Sequence, residues 1–233
     1  MAKNDPLILS IESSGEICSV ALSQGGHLLA QRKGEEKREH ASIISILAKE
    51  AIEEGGSSIE SLDAVAVSEG PGSYTGLRVG LSFAKGLSFA LEIPLIAIST
   101  LDILVEMALT SGAAEGMDSI VPVIDARRME VYTATYSNRG KRVSEVVPLI
   151  VEEDSFDHLL KRGKVLFCGD GAEKLRLPIK SKNGNFVTIY PLAEGMVELA
   201  LESYKRSIFV DYVTFEPLYL KEFIAGKRKN LLG

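Results

Sequence analysis

The most informative stretch of this 233-residue sequence is residues 68–80, which read Ser68-Glu69-Gly70-Pro71-Gly72-Ser73-Tyr74-Thr75-Gly76-Leu77-Arg78-Val79-Gly80. Its pattern predicts the end of a buried strand, a Gly-Pro-Gly turn and a helix whose N-cap is Ser73. Backbone N–H groups at such a helix start can bind an anion. The stretch is not a Walker A loop, which needs a lysine, nor a dinucleotide fingerprint, which needs a third glycine where Thr75 stands. The spacing alone therefore favours a tight structural turn.

The helix that follows carries small residues at intervals of four, namely Gly76, Gly80, Ala84 and Ser88. This spacing places them on one face of the helix, where another element can approach closely. A glycine inside a helix costs up to about 1 kcal/mol relative to alanine, so close packing would compensate. The pattern leaves two interpretations open: contact with the protein's own sheet, or a helix–helix interface between two chains.

Alternating and helical apolar periodicities predict the elements on both sides of this stretch. In the first half they are Leu7–Glu12, Cys18–Ser23 and His27–Gln31 (strands), His40–Glu54 (helix), Asp63–Ser68 (strand), Tyr74–Leu91 (helix), Leu95–Ser99 (strand) and 100–109 (helix). After a linker at Thr110–Asp118, strands are predicted at Ile120–Asp125, Glu130–Tyr136, Val143–Val151, Val165–Cys168 and Phe186–Tyr190, and helices at Asp154–Lys161 and Leu192–Arg206.

The two halves repeat a similar order of elements, which predicts a structural duplication. Each half opens with an apolar strand that ends in an acid, Glu12 in the first and Asp125 in the second. We therefore predict an α/β, actin-like or sugar-kinase-like fold with two lobes, each a mixed sheet of βββαβα type flanked by helices. The predicted lobes are residues 1–108 and residues 109–233, with a C-terminal tail that returns to the N-terminal lobe.

Composition and charge exclude several classes of protein. The net charge is −6, so the chain lacks the overall basic character of many nucleic-acid-binding domains. The apolar runs are too short to span a membrane, and the N-terminus shows no export signal, so we expect a cytoplasmic protein. The two cysteines and three histidines stand far apart, which predicts neither a disulfide framework nor a metal site.

Glu12 and Asp125 are candidates for the paired acids of an actin-like ATPase. The phosphate hairpins of that fold require glycine directly after the acid, but Asp125 is followed by Ala126-Arg127-Arg128. An actin-like ATPase or kinase that uses these two acids is therefore the alternative hypothesis rather than the first one. A glycoprotease-like metallohydrolase comes last, because no cluster of ligands is visible.

Several segments together resemble the TsaB (YeaZ) family, whose members take part in making threonylcarbamoyladenosine beside the anticodon of tRNA. The segments are Ile8–Leu22, the helix that begins near His40, Gly70–Gly80, Ala84–Leu87, Pro94-Leu95 and Asp125-Ala126-Arg127. The resemblance is strong over roughly the first 137 residues and loose thereafter.

The resemblance implies a non-catalytic paralogue that pairs with TsaD, the subunit that performs the transfer. TsaD-type proteins carry a metal-binding histidine pair after their Pro-Leu strand, whereas the matching stretch here, Pro94–Val105, has no histidine. The resemblance therefore implies no catalytic residue and no metal in this chain. A TsaE-type ATPase would join through the complex, tRNA would be bound only by the complex, and ATP or ADP would bind only at a shared interface.

In such pairs the first two helices of the N-terminal lobe form the contact, and the same surface would form a homodimer when the chain is alone. The predicted interface residues are His40, Ile43, Ile44, Leu47, Ala51, Gly76, Val79, Gly80, Phe83 and Leu87. The candidate nucleotide or anion contacts are Glu12, Ser13, Gly70, Gly72, Ser73, Asp125 and Arg127.

Overall fold

The structure is a computed structural model that describes residues 5–34 and 40–221; of His40 it describes the backbone alone. The first sheet has five strands in the order β3-β2-β1-β4-β5. These strands are β1 (Leu7–Glu12), β2 (Ser19–Gln24), β3 (His27–Lys33), β4 (Ala64–Gly70) and β5 (Leu95–Ser99). The first three run antiparallel, and β4 and β5 lie parallel to β1, so the sheet is mixed as predicted.

Helices cover both faces of this sheet. One face packs against α1 (His40–Glu54) and α2 (Tyr74–Leu91) through a core that includes Leu9, Ile11 and Leu81. The other face packs against α3 (Thr100–Thr110) and, from the far end of the chain, α6 (Val197–Lys205). The core on that side includes Ile8, Ile103 and Ala200. Alternate residues of β1 therefore belong to different cores, as the period of a strand requires.

The second sheet has the order β11-β10-β6-β7-β9, and β8 pairs with β6. Its strands are β6 (Ser119–Asp125), β7 (Glu130–Thr133), β8 (Tyr136–Ser137), β9 (Val147–Ile150), β10 (Val165–Cys168) and β11 (Gly184–Val187). Two short helices, α4 (Asp157–Leu160) and α5 (Ala172–Leu175), belong to this half. Two mixed sheets with flanking helices confirm the predicted fold class. The division at residue 108 stays a prediction.

Several elements of the second half differ from the prediction. The strand predicted at Glu130–Tyr136 is divided into β7 and β8, the strand predicted at Phe186–Tyr190 lies at Gly184–Val187, the helix predicted at Asp154–Lys161 is only Asp157–Leu160, and α5 is not among the predicted helices. The strand predicted at Val143–Val151 is β9 alone, because residues 143–145 lie exposed without a partner strand. The helix predicted from Leu192 begins with a 3₁₀ turn at Ala193–Met196, and α6 proper follows it.

The small-residue face of α2 packs inside the chain. The Ser13 hydroxyl donates to the Gly76 carbonyl at 2.9 Å. A Cβ atom on Gly80 would overlap that same hydroxyl, and Ala84 and Ser88 are fully buried. The contact is therefore with the protein's own sheet, and the interpretation of this face as an interface between two chains is wrong.

We expect Gly80→Ala to destabilise the protein by about 1–3 kcal/mol, because the new methyl group overlaps Ser13 in a packed interior. Gly86→Ala is the matched control on the same helix. A Cβ atom there meets no atom within 4 Å, so this change should stabilise the helix by about 0.5–1 kcal/mol. Urea unfolding of both variants measures the difference, and equal effects of the two changes would contradict the packing described here.

Candidate functional site in the cleft

A cleft of about 640 Å³ lies between the two sheets. Four segments line it: the turn after β1 (14–16), the Gly-Pro-Gly turn with the start of α2 (71–76), the β6–β7 turn (124–127) and a C-terminal segment (218–221). Four of the seven candidate nucleotide or anion contacts line the cleft, namely Gly72, Ser73, Asp125 and Arg127. Glu12, Ser13 and Gly70 do not, because they lie buried behind its wall.

On the N-terminal wall, the turn before α2 is packed against the turn after β1. The Ser73 amide donates to the Ser14 carbonyl at 2.7 Å, and a Cβ atom on Gly72 would lie 2.6 Å from that oxygen. The Ser73 hydroxyl accepts from the Gly76 amide at 3.2 Å as the N-cap of α2. Two of the amides at this helix start, those of Ser73 and Gly76, are therefore engaged within the protein, as a tight structural turn requires.

Glu12 is a buried carboxyl group that supports this wall from behind. Its Oε1 atom accepts from the Ser14 amide at 2.6 Å, and Oε2 has no hydrogen-bond partner among the described residues. Burial raises the pKa of Glu12, and hydrogen bonding from Ser14 opposes only part of that shift. The side chain orders the turn at the end of β1 and does not reach the cleft surface.

The C-terminal wall is organised by Lys174, which lies on α5. Its ammonium group donates to Asp125 Oδ1 at 2.6 Å, to the Arg128 carbonyl at 2.8 Å and to the Glu130 carbonyl at 2.6 Å. The Asp125 amide donates to Asp170 Oδ1 at 2.9 Å. Burial, together with the charge of Asp125, raises the pKa of Asp170. The Lys174 ammonium group, fixed by two carbonyls, therefore neutralises the Asp125 carboxylate from inside the protein.

The turn between β6 and β7 has two arginines in the left-handed backbone region. Arg127 has a φ of 68° and Arg128 a φ of 53°. This region is unfavourable for residues other than glycine, at a cost of about 1–3 kcal/mol each. Both side chains are exposed, and neither forms an ion pair with any residue in the described part of the chain. The Asp125 carboxylate, which accepts from the Arg127 amide at 2.6 Å, helps to hold the turn.

The C-terminal segment connects the two walls of the cleft. The Leu218 amide donates to the Glu69 carbonyl at 2.7 Å, on the N-terminal side. The Tyr219 ring lies 5.0 Å from the Tyr74 ring. Lys221 forms an ion pair with Glu130, on the C-terminal side. Residues 218–221 therefore cross the mouth of the cleft from one sheet to the other.

The predicted interface residues fall into two sets. Ile44, Leu47, Ala51, Gly76 and Gly80 are buried in the interior of the chain, so their side chains or backbone cannot meet a partner directly. The prediction was wrong for these five positions. The apolar periodicity of a helix does not tell which of its apolar residues face the core and which remain at the surface. The side chain of His40 lies outside the described residues. The remaining four are half-buried on the outer side of α1 and α2: Ile43, Val79, Phe83 and Leu87.

The described residues hold no group of three or more His, Cys, Asp or Glu side chains that could bind a metal ion. Both cysteines are buried as free thiols, and burial raises the pKa of each to about 12. In the same part of the chain, no helix has the length and apolar character that a membrane span needs.

Fold and cleft together define an α/β protein with two mixed sheets and flanking helices, in which the turn between β6 and β7 lacks glycine. A family model described as "TsaD: tRNA N6-adenosine threonylcarbamoyltransferase" matches residues 28–189. The tRNA threonylcarbamoyladenosine biosynthesis protein TsaB of Escherichia coli is 30% identical, over 95% of this chain and 97% of the relative. TsaB of Bacillus subtilis is 32% identical over 70% of each. The chain belongs to the TsaB (YeaZ) family, as the resemblance predicted.

Solved structures agree with this assignment. A Pseudomonas aeruginosa protein described as similar to peptidase YEAZ superposes with a TM-score of 0.82 at 27% identity, over 93% of this chain and all of that chain. The structure described as YeaZ from the same organism gives 0.76 at 28% identity, over 92% of this chain and all of that chain. By contrast, the threonylcarbamoyltransferase of Koribacter versatilis is 34% identical over only 50% of this chain and 35% of the transferase.

We expect Glu12→Gln to stabilise the protein increasingly as the pH rises above about 5. The folded state raises the pKa of Glu12, so the folded protein retains a proton that the unfolded chain releases. Each pH unit in that window therefore costs the native protein up to about 1.4 kcal/mol, until the folded-state pKa is passed. The glutamine of the variant does not titrate, so the variant does not bear this pH-dependent cost. Urea unfolding between pH 5 and 8 measures the difference.

Glu60→Gln, at an exposed position, controls for the removal of one negative charge. A constant difference between Glu12→Gln and the native protein across this pH range would show that the Glu12 carboxyl is not held protonated.

Proposed function

We propose that this chain is the non-catalytic subunit that works with a TsaD-type paralogue and a TsaE-type ATPase in threonylcarbamoyl transfer. The acceptor is the adenosine beside the anticodon of tRNA. The observation that carries the proposal is the match to TsaB over nearly the full length of both chains, whereas the match to a transferase covers only about a third of that enzyme. Its place of action would be the cytoplasm, with tRNA bound by the assembled complex.

The cleft supports a role without catalysis. In an actin-like ATPase, the turn after the second acid must let phosphate approach the backbone. Here the Cβ atoms of Arg127 and Arg128 stand in that turn and block such an approach. Lys174 also neutralises Asp125 from inside the protein. Pro94–Val105 also has no histidine that could complete a metal site. We therefore propose that nucleotide, if it contributes, binds at the interface with the paralogue, and that the chain needs no metal of its own.

The outer side of α1 and α2 is the proposed contact with the paralogue. Ile43, Val79, Phe83 and Leu87 form a half-buried apolar strip there. Gly86 lies beside the strip, exposed and without side-chain neighbours, so another chain can come close to the helix at that point. The same strip would join two copies when the paralogue is absent.

We expect Gly86→Arg to abolish co-purification with the TsaD-type paralogue and tRNA threonylcarbamoylation by the mixture. The arginine places a long charged side chain on the contact surface. It should leave the fold intact, because a Cβ atom at this position meets nothing within 4 Å. Size-exclusion chromatography with light scattering and a threonylcarbamoylation assay on unmodified tRNA measure the two effects.

Leu177→Arg is the matched control, since Leu177 is 83% exposed and lies in the other half of the chain. Retained complex and activity in Gly86→Arg would refute the proposed contact. ATP turnover by the isolated chain with magnesium, lost in Asp125→Asn, would instead support the ATPase hypothesis.

A further inference from the structure

The arginine pair at the β6–β7 turn has no internal explanation. Arg127 and Arg128 keep left-handed backbone angles that glycine would adopt without strain. Their side chains are exposed and make no ion pair with the rest of the described chain. Lys174 holds the turn through backbone carbonyls and Asp125, so the guanidinium groups are not needed for its conformation. Two strained, unpaired arginines suggest an external anion.

Three aromatic rings, Tyr74, Tyr132 and Tyr219, line the cleft, and two further cations lie against them. The Arg78 guanidinium lies 4.8 Å from the centroid of the Tyr74 ring, and Tyr74 packs against Tyr219. Lys221 lies 5.7 Å from the ring of Tyr132 and is paired with Glu130, so a phosphate there would share or replace that carboxylate. Cations interleaved with aromatic rings are typical of surfaces that bind the backbone and bases of single-stranded nucleic acid.

The charges inside the cleft determine where an anion could bind. Glu16, Asp125 and Asp170 line the cleft together with Arg127, so a phosphate deep between them would also meet carboxylates. The two arginine side chains are exposed at the β6–β7 turn, and their Cβ atoms block close approach to its backbone. A phosphate is therefore favoured at the rim and disfavoured inside, which suits an extended chain of phosphodiesters better than a nucleoside triphosphate.

The sequence after Lys221 adds charge of the same sign. Lys227, Arg228 and Lys229 follow within eight residues, in a protein whose net charge is −6. These three residues lie outside the described part of the chain, so the rim does not include them.

We propose that the rim formed by Arg127, Arg128, Arg78 and Lys221 binds the phosphodiester backbone of RNA directly. The proposal deepens the proposed function and rests on it, because it gives this chain its own contact with the RNA that the complex modifies. The contact is independent of sequence, since it reads phosphates and aromatic stacking rather than base edges.

The test compares Arg127→Gly/Arg128→Gly with the native chain in anisotropy titrations of a labelled, unmodified tRNA transcript. Titrations are run on the isolated chain and on the complex with the paralogue, after the complex has been verified by light scattering. We expect the variant to melt no lower than the native protein, because glycine relieves the left-handed turn. Its affinity should depend less on salt. Between 50 and 200 mM KCl the native chain should lose about tenfold more affinity than the variant, as two phosphate contacts predict.

Two further variants make the result specific. Arg139→Ala/Arg162→Ala removes the same charge from exposed positions that do not line the cleft, and should keep the native salt dependence. Arg127→Lys/Arg128→Lys keeps the charge and should retain the native salt slope.

Four outcomes would overturn the proposal. They are native affinity and salt slope in the glycine variant, an equal loss in the distant control, a lower melting temperature that accompanies the loss, and weaker ATP or ADP binding with RNA binding unchanged. Failure of the complex to form would count against the proposed function alone, since the isolated chain still reports on the RNA contact.

Discussion

The close approach of α2 to the end of β1 is the contact on which the rest of the molecule depends. Ser13 donates to the carbonyl of Gly76, and Gly80 leaves the space that the hydroxyl occupies. This contact fixes the start of α2, so it also fixes the Gly-Pro-Gly turn and the N-terminal wall of the cleft. The small-residue face of α2 packs against the protein's own sheet. Only the outer side of the helix is left to contact a partner.

The two walls of the cleft differ in their turns and in their acids, although each wall is built on a mixed sheet. On one side lies the Gly-Pro-Gly turn, where the Ser73 amide donates to the neighbouring turn and the acid, Glu12, is buried. On the other side the acid is exposed, and a lysine from α5 neutralises it. The two turns that line the cleft therefore differ in backbone, burial and charge, and exposed arginines stand at one of them.

Much of the fold could be predicted from the sequence because its signals are local. The helices α1 and α2 have the predicted bounds, since apolar periodicity and flanking glycines define them. The spacing of Gly76 and Gly80 predicted close approach but could not identify the neighbour, which depends on the tertiary fold. The sequence predicts a C-terminal tail that returns to the N-terminal lobe, but for the same reason it cannot name the residues that the segment at 218–221 meets. Tyr219 and Lys221 contact Tyr74 and Glu130, which lie far away in the sequence, so only the folded structure shows what they do.

The position of α6 has a consequence for synthesis of the chain on the ribosome. The face of the first sheet that carries Ile8 and Ile96 is covered in part by Met196 and Ala200, and Val210 pairs with Leu95 at its edge. The half that is translated first therefore cannot complete its core until nearly the whole chain has emerged. The part of this face that α6 covers stays exposed until residues 193–205 have emerged, although α3 already covers the neighbouring part. Exposed apolar surface of this kind is what makes nascent chains prone to aggregate.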